Sequence, residues 1–244
     1  MKTKTFSLLF FFAFNFFFSQ NTFAQIVTVT PKKVIYKRQK PFTEYKKNFV
    51  VIYPIIKGLN SDMNKKVEVA ISYQKIFDFN LKEETNEIQW LEEASFKVNY
   101  NKNGILGISL SMSGSGAYPS IYEKAVVVNL KTGDRIEPPD AFVKLGELAA
   151  LCKKAQQAEI KKSLVEIKKE NPDEENPQSL FENSDFTVKN LDEFSVSDKG
   201  VTFLYDYSFP HVILALQPEG KYFFSWVRLK PFVKRDGVFA KFIR

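Results

Sequence analysis

The chain has 244 residues, of which 44% are hydrophobic and 26% are charged, and 35 Lys and Arg against 28 Asp and Glu give it a net charge of +7. This composition excludes a disordered or collagen-like chain, and the length allows one large or two small domains with a real hydrophobic core. The single cysteine and single histidine exclude a disulfide-stapled miniprotein and a zinc site built from Cys and His ligands.

Residues 1–24 have the features of a secretory signal peptide. Lys2 and Lys4 precede an uncharged stretch over residues 5–18 that is rich in Phe and Leu, and Ala24 is a small residue suited to cleavage. The alternative is a retained membrane anchor, but a spanning helix needs about 20 apolar residues. Loss of the two lysines lowers the net charge from +7 to +5. We therefore expect an exported chain, periplasmic or extracellular, with no transmembrane segment after cleavage.

The remaining sequence is dominated by strand patterns joined by short turns. Apolar and polar residues alternate on both sides of residues 101–104, where Asn103 and Gly104 suit the positive φ of a tight hairpin turn. A second hairpin is predicted around residues 198–200. Short connections favour antiparallel pairing. The predicted strands cover residues 26–37, 48–56, 96–100, 106–112, 121–130, 194–196, 201–207 and 222–229.

Two segments have helical periodicity. Residues 60–79 begin with the N-cap sequence Asn60-Ser61-Asp62, and they predict one helix that protein covers on most of its surface. Residues 145–170 carry two apolar stripes rotated by about 100° from each other, so a bend or break is expected near residues 156–159. The elements together predict an α+β fold with about two main helices packed on an antiparallel sheet.

No motif identifies an enzyme. His211 is the only imidazole, no Gly-x-Ser-x-Gly elbow is present, and residues 113–116 lack the Lys and Ser/Thr of a phosphate-binding loop. Cys152 lies in an apolar helical stripe, which predicts a buried and unreactive thiol. No catalytic, metal-binding or cofactor-binding residue is predicted, and residues 171–177 are predicted to form an exposed loop.

The positive charge is modest and interspersed with acids, which argues against a nucleic-acid partner. A weak attraction for anionic envelope polymers or lipid head groups is the alternative. One dense basic tract predicts a solvated edge strand, because charged side chains at a sheet edge discourage aggregation. That tract consists of Lys32, Lys33, Lys37, Arg38 and Lys40.

Short stretches in both halves of the chain resemble known extracytoplasmic modules. Residues 53–54, 60–64 and 96–106 resemble the N-terminal module of bacterial peptidoglycan deacetylases. Residues 116–119, 128–134, 141–142, 201–207 and 220–229 resemble the module that usually follows, and both modules also occur in lysozyme-sensing anti-sigma factors. The resemblance implies two modules, 25–118 and 119–244, that form one compact unit with a curved antiparallel sheet. It implies neither activity here, because deacetylation belongs to a separate metal-dependent domain and anti-sigma activity to a cytoplasmic segment.

We therefore expect a secreted, non-catalytic binding module of the bacterial cell envelope, whose partner is an envelope protein or glycan. Tyr118, Tyr207 and His211 are the candidate ligand-binding residues. Lysozyme is one version of the ligand, although a basic lysozyme would be repelled at long range by the positive net charge.

Two alternatives remain open at the level of sequence. One is a structural or assembly subunit held by exposed aromatic residues such as Trp90, Tyr118 or Tyr207. The other is a cell-wall hydrolase that uses a pair of carboxylates. The carboxylates available for such a pair are Glu83, Glu84, Glu92, Glu93 and Asp206.

Overall fold

The computed structural model describes residues 26–170 and 176–244, and its largest element is a six-stranded sheet. The strands lie side by side in sequence order, and β2 pairs with β3 in parallel while the other neighbours are antiparallel. The predicted signal peptide lies outside the described residues, as do residues 171–175 of the predicted loop. The strands are β1 (Thr28–Lys37), β2 (Asn48–Lys57), β3 (Leu91–Lys102), β4 (Ile105–Ser115), β5 (Pro119–Asn129) and β6 (Asp134–Arg135).

The hairpin between β3 and β4 forms at the predicted turn. Asn103 and Gly104 adopt φ values of 57° and 69°, which a two-residue hairpin turn requires. Leu106, Ile108 and Leu110 alternate along β4 and are buried, as their period of two predicts. β4 continues to Ser115, so residues 113–115, which were compared with a phosphate-binding loop, lie in a strand.

The parallel pairing of β2 with β3 requires a crossover, and three short helices form it. They are α1 (Ser61–Ala70), α2 (Tyr73–Phe77) and α3 (Leu81–Asn86). Asn60 caps α1 as predicted. The single helix predicted over residues 60–79 is wrong, because the Ser72 side chain accepts a hydrogen bond from the backbone N–H of Lys75 and starts a new helix.

α4 (Pro138–Ala141) leads into α5 (Leu145–Glu170), which has the predicted bounds. α5 is continuous through residues 156–159, so the helix has no break there. Its two stripes pack against different clusters. Leu148 and Cys152 contact the core beneath a second sheet, whereas Ile167 packs with Phe181 and other aromatic residues. The rotation between the stripes therefore reflects two packing partners.

The second sheet has the order β7 (Phe194–Val196), β8 (Gly200–Leu204) and β9 (Lys221–Ser225), all antiparallel. The hairpin predicted around residues 198–200 is confirmed. The strand predicted over 222–229 is too long, because the Ser225 side chain caps α6 (Trp226–Leu229). Short 3-10 helices complete the described chain: Pro177–Phe181, Val188–Asp192, His211–Leu216 and Ala240–Phe242.

Two hydrophobic cores lie on opposite faces of the large sheet. Leu106 and Val128 belong to the core under α1–α3, whereas Ile105 and Val127 belong to the core that also contains the second sheet and α5. The α+β fold with an open, mostly antiparallel sheet is confirmed. β5 begins at residue 119, where the second module was predicted to start, and it pairs with β4 along its length. None of the described helices has both the length and the apolar character needed to cross a membrane.

Candidate ligand groove

β5 is an edge strand over most of its length. Only Val128 and Asn129 pair with β6, and the backbone N–H of Ile136 donates to the carbonyl of Val127 at 2.8 Å. Among the described residues, no backbone group pairs with the outer side of β5 at residues 119–126. In the described chain, the outer side of β5 is therefore free of backbone pairing over residues 119–126, and residues 119–124 are at least partly exposed.

A groove of about 830 Å³ follows this open edge, and we call it the β5 groove. The segment around α2 and α3 contributes Phe77 and Phe79 to one side, and the second sheet contributes Thr202 and Leu204 to the other. β5 itself contributes residues 121–125 without a gap. Because consecutive strand side chains point to opposite faces, the groove reaches both faces of the sheet around its edge.

Exposed apolar side chains mark the groove where β5 begins. Ile121 is 73% exposed and Tyr122 is 56% exposed, although both lie in regular strand. The rings of Tyr122 and Trp90 have centroids 5.3 Å apart, and the indole N–H of Trp90 donates to the Ser120 hydroxyl at 3.0 Å. Gly114 permits this arrangement, because a Cβ there would lie 2.1 Å from the Trp90 carbonyl oxygen. The result is a fixed aromatic pair at the rim of the groove.

Trp90 is held in place by a buried network behind it. The Arg38 guanidinium donates to Glu84 and to the carbonyl of Leu91, each at 2.7 Å, and the backbone N–H of Leu91 donates to Glu84 at 2.7 Å. Gln89, the residue before Trp90, is also buried, and its backbone has a positive φ of 54°. Arg38 is only 1% exposed, so its assignment to a solvated basic tract is wrong. A buried guanidinium needs a paired carboxylate, and Glu84 supplies it.

The groove is acidic although the whole chain is basic. It is lined by seven carboxylates and three lysines. Two of the carboxylates are neutralised by direct ion pairs, Glu84 with Arg38 at 2.7 Å and Glu193 with Lys124 at 2.6 Å. The remaining acids leave an excess of negative charge. The acids are Asp78, Glu83, Glu84, Glu123, Glu193, Asp206 and Glu219, and the lysines are Lys97, Lys124 and Lys221.

A second buried network lies next to the groove, at Gly220. The hydroxyl groups of Tyr207 and Tyr222 donate to the same Glu159 oxygen at 2.9 and 2.8 Å, and the N–H of Gly220 donates to the other oxygen at 3.1 Å. Burial raises the pKa of Tyr207 above its ordinary value of 10.0. Burial, together with the hydrogen bonds to Tyr207 and Glu159, also raises the pKa of Tyr222. Both tyrosines therefore remain neutral donors at neutral pH.

The structure brings two of the three candidate ligand residues together. The rings of Tyr118 and His211 are stacked, with centroids 4.4 Å apart and an angle of 20° between their planes. Tyr118 is 58% exposed and His211 is also exposed. Tyr207 is buried, and within the described residues its ring contacts Phe181, Tyr205 and Phe209 instead of this pair. The stack connects the start of β5 to the loop that contributes Gln217 and Glu219 to the groove.

Three of the carboxylates considered for a hydrolase, Glu83, Glu84 and Asp206, line the β5 groove, and each has a different hydrogen-bond partner. Glu84 is bound to buried Arg38, Glu83 accepts a hydrogen bond from Asn80 at 2.7 Å, and Asp206 accepts one from the N–H of Ser208 at 2.8 Å. Glu92 pairs with Lys46, and that hydrogen bond lowers the pKa of Glu92. The described parts of the chain contain no group of three or more His, Cys, Asp or Glu that could hold a metal ion.

Comparison with known proteins gives a likeness in fold. No family profile matches the sequence, and no curated protein is detectably similar to it. A DUF3298 family protein from Bacteroides fragilis is similar in structure, with a TM-score of 0.56 and 11% identity over 90% of this chain and 98% of that one. A DUF3298 family protein from Pseudomonas aeruginosa aligns with a TM-score of 0.49 and 15% identity over 85% of this chain and 94% of that one. The structural neighbours thus come from a domain family of unknown function.

Proposed function

We propose that this chain is an exported, non-catalytic binding module of the bacterial envelope, and that the β5 groove receives its ligand. The observation that carries the proposal is the pair Ile121 and Tyr122, both more than half exposed on a regular strand beside an acidic groove. Exposed apolar residues rimmed by polar ones are typical of interaction sites. Aromatic side chains on rigid elements also give large contact area at low entropic cost.

Capture from native envelope fractions tests the proposal. The tagged chain would be compared with Ile121→Ser and Tyr122→Ser, and the matched control is Ile35→Ser on β1, where Ile35 is 63% exposed. We expect mass spectrometry to find partners that the wild type and Ile35→Ser retain and that the two groove variants lose. Retention of the same partners by all four proteins would contradict a role for the groove.

The export part of the proposal rests on residues 1–24, and the mass of the protein isolated from cells tests it. We expect the N-terminus at Gln25, in the periplasm or the medium. A protein that still carries residues 1–24, or that stays in the cytoplasm, would contradict export.

The finer version, with a lysozyme as ligand, draws support from the acidic groove. The positive net charge of the chain opposes the approach of a basic protein at long range, whereas the groove would attract it locally. A pull-down with purified lysozyme at low and high salt tests this version. We expect retention that weakens as salt rises, and no retention at low salt would exclude lysozyme without excluding other ligands.

A further inference from the structure

The open edge of β5 has a defined set of free backbone groups. The N–H of Leu130 donates to Gly104 on the β4 side, whereas the carbonyl of Val127 accepts from Ile136 on the opposite side. Backbone groups alternate between the two sides along an antiparallel strand, and the register of β4 with β5 has no bulge. In β5, the backbone N–H and carbonyl groups of the odd-numbered residues therefore point away from β4. Ile121 and Glu123 each direct one N–H and one carbonyl into the groove.

The two edges of the large sheet differ in their protection. β1 carries Pro31, Lys32 and Lys33 along its exposed stretch, and proline and lysine are the residues that prevent a further strand from pairing. β5 has Pro119 only at its first residue, and its one lysine, Lys124, is held by Glu193 at 2.6 Å. The β5 edge is thus left available for pairing, while the β1 edge is blocked.

The charge of the groove indicates which strand would fit. Glu123 lies on the edge itself, and Asp206 and Glu219 lie on the side formed by the second sheet. A partner strand beside β5 would place alternate side chains toward these acids. Lysine or arginine at those alternate positions would be attracted, whereas acidic side chains would be repelled.

We propose that the β5 groove binds an extended, basic segment of a partner protein, which adds to the large sheet as a strand beside residues 119–125. This inference rests on the proposed function and makes it more specific. Backbone hydrogen bonds to Ile121 and Glu123 supply affinity, and the acids of the groove select the side chains, as in other cases of strand addition. Tyr122 and Trp90 cover one side of the added strand.

Binding of a labelled model peptide to the full-length chain tests the inference. The probe is a fluorescein-labelled ten-residue peptide of alternating lysine and valine, measured by fluorescence anisotropy at low and high salt. The control peptide has the same sequence with methyl groups on the amide nitrogens of its two central residues, so each edge of the peptide loses a donor. We expect the methylated peptide to bind about fivefold more weakly, because the edge that faces β5 loses one hydrogen bond, which contributes on the order of 1 kcal/mol.

Two variants at one position separate the backbone from the side chain. Ile121→Pro removes an N–H that does not pair with β4, and proline is tolerated on an edge strand in that orientation. Ile121→Thr removes most of the apolar side chain and keeps the N–H. We expect Ile121→Pro to bind the unmethylated peptide about fivefold more weakly than Ile121→Thr, because one hydrogen bond on the order of 1 kcal/mol is lost. Circular dichroism would check that both variants keep the fold.

Amide hydrogen exchange adds a direct measurement, because the N–H groups of Ile121 and Glu123 should exchange more slowly when the peptide is bound. Equal binding of the two peptides, equal binding to the two variants, or no binding at low salt would overturn strand addition. Slower exchange at these amides with a peptidoglycan fragment, and not with the peptide, would also overturn it. If the peptides bind equally and Tyr122→Ser abolishes binding, strand addition fails while the groove remains the binding site.

Discussion

The Arg38–Glu84 pair is the most buried ionic contact of the described chain, with the two side chains 1% and 5% exposed. Both positions come from polar stretches of sequence, and Arg38 stands at the end of a basic tract that predicts solvent exposure. The sequence does not reveal the burial, because it depends on the packing of the β1–β2 loop against α3 and the segment that follows it. The pair matters to the groove because it fixes Leu91 and therefore the adjacent Trp90.

Removing one partner of this pair should destabilise the protein strongly. We expect Glu84→Ala to lower the free energy of unfolding by about 3–5 kcal/mol, because it leaves a buried guanidinium unpaired. The matched control is Glu92→Ala, which removes the more exposed pair with Lys46 and should cost less than about 1 kcal/mol. Guanidinium denaturation measures both. Similar losses for the two variants would contradict the structural role of Arg38.

The buried tyrosines predict a specific loss of stability in alkaline solution. Tyr207 and Tyr222 keep their protons to higher pH in the folded chain than in the unfolded chain, where the ordinary pKa is 10.0. The unfolded state thus loses protons first, so stability is complete below about pH 10 and falls as pH rises beyond it. Burial also raises the pKa of Cys152 to about 12, and this contribution has the same sign.

Urea denaturation between about pH 8 and pH 11 measures this effect. We expect Tyr222→Phe to be less stable than the wild type at neutral pH, because its hydroxyl hydrogen bonds are lost. Its stability should nevertheless fall less steeply above about pH 10, since one titrating group is gone. Parallel slopes for the two proteins would show that Tyr222 does not titrate with unfolding.

At the scale of elements, sequence patterns correctly predict the features that depend only on residues close together in the chain. The alternation along β4, the Asn103-Gly104 turn and the bounds of α5 all depend on period or turn chemistry, and the structure agrees with each. The predicted bounds are wrong where one capping hydrogen bond decides them. Ser72 divides a predicted helix into two, and Ser225 starts α6 where the sequence predicts the end of a strand. The order of strands in the sheet sets which one is an edge, and no local pattern reveals that order.

Gly114 in β4 lies close to the backbone of Trp90, and a substitution at Gly114 tests this contact. We expect Gly114→Ala to cost about 1–3 kcal/mol and to alter tryptophan fluorescence, because the added Cβ would lie 2.1 Å from the Trp90 carbonyl oxygen. The control is Gly146→Ala in α5, where nothing lies within 4 Å and the change should be neutral or mildly stabilising. Unchanged fluorescence in Gly114→Ala would contradict the described packing of Trp90.

At the scale of the whole molecule, the two modules predicted by resemblance share one sheet. β4 and β5 pair over their full length across the boundary at residues 118 and 119. We therefore expect calorimetry to give one unfolding transition, with the calorimetric and van't Hoff enthalpies equal. Two separated transitions would indicate modules that unfold independently.

The candidate site emerges only at this scale. Tyr118 and His211 are far apart in sequence, and the sequence predicts each as a ligand-binding residue without predicting their contact. Their stacking follows from the packing of the loop after β8 against the start of β5. Ile121 and Tyr122 were predicted as strand residues, and their exposure depends on the edge position of β5. The excess of acids in the groove is likewise hidden by the positive net charge of the chain.

Site-specific photo-crosslinking in living cells tests the central claim, a ligand in the β5 groove, most directly. Benzoylphenylalanine would replace Tyr122 in one protein and the comparably exposed Ile35 on β1 in the other. The account predicts a discrete adduct from position 122 after irradiation and none from position 35. No adduct from position 122, or the same adduct from both positions, would contradict it.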